Sequence, residues 1–253
     1  MSAETQTRPP WPKVLAGFAL MFVVYQAAEG LQTVIAPGNP AGPALMIASL
    51  LLAWPIGRWL GGSGYDRFGL ELSRGWWAVL LGGMLLAALA KLASLTIGSG
   101  AGVYTPSTAQ ALTASAAAMV VLATFIPSVA EDILTRGFLL RAAPVSLNFW
   151  SFTILSALLY TANHIWRLDW GISEQVRLFC LGLAYGAAAW RSRSLWGAVA
   201  LHWGWNLSSA LADQLIPFDT VDVVAGRMIS AGAHLVLLGL VLLFVPVRRK
   251  VAE

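Results

Sequence analysis

Glu131 and Asp132 are the only adjacent acidic pair in the chain, and they stand in the apolar stretch ATFIPSVAEDILTRGFLL with Arg136 close behind. An ionisable group at membrane depth costs roughly 2.5 kcal/mol or more, so three kept together point to a site. Downstream, His164 closes the segment LYTANH and His202 opens HWGWN, each the only histidine of its own apolar segment. Positions four apart share a helix face, so Asp132 and Arg136 stack as an ion pair, Tyr160 aligns with His164, and His202 aligns with Asn206. Glu131 lies about 100° around the helix from Asp132, so the two carboxylates divide their work. Glu131 faces the cavity, while Asp132 is tied to Arg136 as support. Three helices thus offer a carboxylate, an imidazole and an imidazole with an amide, enough for hydrolysis.

The elements that position these groups follow from composition. The chain of 253 residues is 58% hydrophobic and 11% charged, with a mean hydropathy of +0.70. That is too apolar for a soluble domain and predicts an integral membrane protein. A spanning helix needs about 20 apolar residues. Eight runs qualify, near 14–34, 43–60, 76–97, 110–135, 149–165, 175–190, 194–212 and 228–246. The expected fold is all-α: one polytopic domain over 1–253, with its chemistry concentrated in 110–212. No linker is long enough to separate soluble domains, and no internal repeat carries matching functional residues.

Lys and Arg collect on cytoplasmic loops. Arg8 and Lys13, then Arg58, Arg67 and Arg74, then Arg136 and Arg141, Arg191 and Arg193, and finally Arg248, Arg249 and Lys250 all fall on one side of an eight-span chain. The opposite loops hold Arg167, Arg177 and Arg227, and one of them collects Asp213, Asp219 and Asp222. Both termini are therefore expected in the cytoplasm. The net charge of +4 reflects this bias and gives no reason to expect a nucleic-acid partner. The polar first thirteen residues lead into a full-length span without a cleavage pattern, so the first helix reads as uncleaved. The single Cys180 excludes an intrachain disulfide and a multi-cysteine metal site.

Depth restricts the site. Glu131 and His164 can meet only if the fourth helix runs on through GFLLRA and the fifth starts near Phe152. The small residues of ALTASAAAM are expected to let the fourth helix pack closely around the site, and Pro127 to kink or loosen it. His234 reads as hydrogen-bonded packing. Glu29 and Lys91 read as snorkelling charges near helix ends.

The three clusters resemble the motifs of the CPBP intramembrane protease family, which includes type II CAAX prenyl endopeptidases and bacterial Abi-like membrane proteins. Glu131, Asp132 and Arg136 match its E-E-x-x-x-R motif, Tyr160 and His164 its F-x-x-x-H, and His202 and Asn206 its H-x-x-x-N/D. Asp132 replaces the second Glu and Tyr160 replaces Phe. The resemblance implies an intramembrane endopeptidase acting on a membrane-embedded or lipidated protein or peptide. Glu131 and His164 would activate water, and His202 and Asn206 would form the oxyanion hole. Glu131, His164 and His202 are also a donor set for one divalent ion such as zinc; the lack of H-E-x-x-H favours metal-independent water activation and leaves zinc as the alternative. A proton-coupled transporter, or a non-catalytic scaffold serving immunity or secretion, would bury the same residue types.

Overall fold

The computed structural model describes residues 9–108 and 112–246. The expected cytoplasmic charges Arg8, Arg248, Arg249 and Lys250 lie outside the described residues. Among the described residues, eight α-helices stand where the apolar runs were read: α1 Trp11–Gly30, α2 Ala41–Trp59, α3 Trp76–Gly100, α4 Ala114–Asp132, α5 Phe149–Asn163, α6 Ile172–Ser192, α7 Leu195–Leu215 and α8 Val223–Phe244. Among the described residues, the fold is all-α apart from one short antiparallel ribbon. Its strands, β1 (Tyr104–Pro106) and β2 (Phe218–Thr220), pair Thr105 with Asp219 and clip the α3–α4 loop to the α7–α8 loop.

Local sequence explains where the helices start. Thr113, Asn148 and Asp222 are N-caps whose side chains accept from the backbone N–H groups of Ala116, Ser151 and Ala225 at 3.2, 2.9 and 2.9 Å. Proline sits in the first turn of α1, where no backbone donor is lost. α4 passes through Pro127 without interruption and continues beyond Asp132 as a π-helical segment, Ile133–Ala142. The long fourth helix required by the depth argument is present. α5 starts at Phe149 rather than near Phe152.

The molecule is turned inside out relative to a soluble protein. Leu81, Leu85, Leu89 and Leu92 of α3 each expose half or more of their surface, while Glu131, Asp132, Arg136, His202 and His234 are buried. An exposed apolar stripe around a charged interior is stable only against lipid. Among the described residues, five helical segments are long and apolar enough to cross a membrane: Trp11–Ile35, Ala41–Trp59, Trp76–Gly100, Ala114–Ala142 and Val223–Phe244. The remaining helices α5, α6 and α7 carry His202, Asn206, Glu174 and Arg177 or adjoin His164, and α5 has only 15 residues.

Close helix approach occurs away from the place expected. The stretch Ala111–Met119 contributes no buried side chain among its described residues, and Met119 is 64% exposed. Instead, glycines bring α5 onto α6 and α3 onto α7. A Cβ on Gly182 would stand 2.6 Å from the Cα of Ala157, and one on Gly204 would stand 2.7 Å from the Cα of Met84. Both contacts involve backbone atoms that cannot yield, so these helices are locked at short range around the polar centre.

Candidate active site

Glu131, the penultimate residue of α4, is 4% exposed. His164 follows immediately on the end of α5, where the backbone leaves helical geometry (φ −88°, ψ 52°). That break lets the imidazole turn back, and its Nδ1 lies 2.8 Å from the carbonyl oxygen of Tyr160. Only Nδ1–H can pair with a carbonyl, so the lone pair resides on Nε2, which faces Glu131 Oε1 at 3.3 Å. His202, on α7, repeats the arrangement. Its Nδ1 lies 3.3 Å from Asp132 Oδ1, and its Nε2 stands 3.5 Å from Glu131 Oε2 and 3.4 Å from the Tyr160 hydroxyl.

Glu131 is therefore held between two imidazoles, each fixed in tautomer by an acceptor behind it. Two lone pairs and a carboxylate cannot face one another without a proton, so one must be carried by these groups or by a water among them. A buried cluster that shares one proton is suited to acid–base chemistry.

Asp132 does more than the spacing implied. It forms the expected ion pair with Arg136, both side chains being fully buried, and it also orients His202. The Arg136 guanidinium lies 4.7 Å from the ring centre of Tyr160 and 5.2 Å from that of Tyr185. Its Nη1 donates to Thr135 Oγ1 at 2.9 Å as well as to Asp132. The aromatic faces replace water as the cation's surroundings.

Asn206 shares the face of His202, one turn on, but its amide donates to Ser128 Oγ at 3.0 Å. No direct contact joins it to Glu131 among the described residues. Two groups overlooked in the sequence do reach the centre. Asn163 Nδ2 donates to Glu131 Oε1 at 3.1 Å, and Gln26 Nε2 from α1 donates to the Asn163 backbone and side-chain oxygens at 2.7 and 3.0 Å. Gln26 is an uncharged polar residue in the middle of the first apolar run, and that was the available signal. Glu29 does not snorkel: it is 5% exposed and pairs with Arg167 Nη2 at 3.3 Å. His234 is packing, as expected, with Nε2 2.9 Å from the Tyr185 hydroxyl and Nδ1 2.8 Å from the Ser230 carbonyl.

The two Nε2 atoms and the Glu131 carboxylate are zinc-type donors with acceptors behind both rings. Among the described residues, no group of three His, Cys, Asp or Glu side chains has the spacing of a metal site as they stand.

A search of curated proteins finds no match to the chain. A family model described as Type II CAAX prenyl endopeptidase Rce1-like matches residues 113–208, the stretch that holds Glu131, Asp132, Arg136, Tyr160, His164, His202 and Asn206. Over that stretch, this integral membrane protein is similar to the type II CAAX prenyl endopeptidases.

Proposed function

We propose that the protein is an intramembrane endopeptidase that hydrolyses a peptide bond of a membrane-embedded or lipidated protein or peptide. The supporting observation is Glu131 confronted by His164 Nε2 and His202 Nε2 at 3.3 and 3.5 Å, inside a family segment of protease type.

A water between Glu131 and His164 gives a proton to the carboxylate as its oxygen attacks the scissile carbonyl carbon. The carbonyl oxygen becomes an oxyanion. His202, protonated on Nε2 with Asp132 stabilising the imidazolium through Nδ1, donates to that oxygen. Asn206 exchanges its Ser128 partner for the oxyanion as a second donor. When the tetrahedral intermediate collapses, the C–N bond breaks and Glu131 or His164 returns the proton to the departing amine. Asn163 keeps the Glu131 carboxylate aimed at the water throughout.

Both termini are assigned to the cytoplasm and all eight helices to the membrane, on the strength of the arginine distribution. The direct test is cleavage of a fluorogenic membrane peptide library by the purified chain and by Glu131→Ala. Cleavage by the wild type alone supports the proposal. Equal cleavage by both removes Glu131 from the chemistry.

A further inference from the structure

A second polar feature adjoins Asn206. A cavity of about 440 Å³ opens between α3, α7, α8 and the start of α6, and its wall includes Lys91, Glu174, Arg177, Trp205, Asn206 and Arg227. Its charges do not balance. Three cations face one carboxylate, because Arg177 forks onto Glu174 and Arg227 Nε joins the same group at 3.1 Å.

Lys91 is the cation left over. Among the described residues it has no ion pair within 4.0 Å; Asp213 of α7 attracts it from outside the cavity wall, and its Nζ rests 5.3 Å from the ring centre of Trp205. α3 runs to Gly100, so Lys91 lies about 14 Å from the helix end at 1.5 Å per residue, and its partly buried side chain lines the cavity wall. Ser230, 9% exposed, lines the same cavity with an Oγ that has no hydrogen-bond partner among the described residues. An ammonium and an orphan hydroxyl in a lined cavity are what a carboxylate would satisfy.

We infer that this cavity receives a carboxylate of the peptide substrate and that Lys91 is the residue that selects it. The identification of the ligand as a peptide rests on the proposed peptidase reading. The cavity shares Asn206 with the site, and His202 is one turn of α7 away, so the carboxylate belongs a few residues from the scissile bond. It comes either from an acidic side chain or from the free C-terminus.

Three peptides of one apolar sequence separate these sources: one ending in a free carboxylate, one ending in an amide, and one amidated with a single internal Glu. Binding is measured by fluorescence anisotropy on the full chain in lipid nanodiscs, alongside cleavage. Wild type binds one or both carboxylate-bearing peptides about tenfold more tightly than the plain amide. Lys91→Gln removes that preference while binding the amide as wild type does, and Lys91→Arg keeps it. A preference for the free terminus identifies the C-terminal group as the source, and a preference for the Glu peptide identifies the side chain. Equal binding of all three peptides by wild type, no binding of any, or an equal loss on all three in Lys91→Gln overturns the inference. Carboxylate-selective binding without cleavage upholds this site and sinks the hydrolytic reading alone.

Discussion

Replacing Arg136 tests how the centre is supported. The guanidinium is fully buried, paired with fully buried Asp132, and sandwiched between Tyr160 and Tyr185. Arg136→Met keeps much of the volume and removes the charge. Stranding a buried carboxylate costs about 3–5 kcal/mol, and losing the ring contacts adds about 1 kcal/mol. His202 Nδ1 remains 3.3 Å from Asp132 and offsets part of that, so we predict a net loss of about 3 kcal/mol. The assay is reversible unfolding in mixed micelles, with folded yield as the cruder readout. A double variant, Arg136→Met with Asp132→Asn, no longer strands a charge and should recover most of the stability. It should not recover turnover, because an amide in place of Asp132 cannot stabilise a His202 imidazolium. A single variant as stable as wild type, or a double variant no better than the single, refutes the reasoning.

Asn163→Ala should leave the protein folded yet lower kcat about tenfold with little change in KM, since it frees the carboxylate without touching substrate contacts; unchanged kcat would make Asn163 structural only. Gln26→Leu should give a weaker loss of the same kind, read in the same assay, because it acts through Asn163. Reporter fusions after Arg74, Arg141 and Arg193 should all read cytoplasmic, and an external signal from any of them breaks the eight-span topology. A chelator should leave hydrolysis unchanged, whereas loss of activity restored by added zinc would replace the water-activation scheme with a metal one.

Much of the site was legible because helical spacing is a local property. The Asp132–Arg136 pair follows from positions four apart, and the apolar runs fixed which helices carry Glu131, His164 and His202. The contact of Asp132 with His202 was not legible, because it depends on how α4 packs against α7 across 70 positions of sequence. Burial of Glu29 was missed for a related reason: its partner Arg167 comes from the segment after α5, and proximity to a helix end says nothing about a cation folded over it. The small residues before Met119 misled because small size permits close approach without requiring it, and the glycines at 182 and 204 took that role. Asn163 stood beside a chosen histidine, but only the break of α5 at His164 turns its amide toward Glu131.

The most direct test of the central claim is single-turnover cleavage of a membrane peptide by Glu131→Gln, with unfolding measured on the same preparation. The amide keeps the shape of the side chain, accepts from Asn163 only through its oxygen, and cannot take a proton from water. The account predicts a folded protein of near wild-type stability with cleavage reduced by roughly 10²-fold or more. Wild-type cleavage by Glu131→Gln would contradict it, and a cellular phenotype fully retained by that variant would assign the protein to a scaffold role instead.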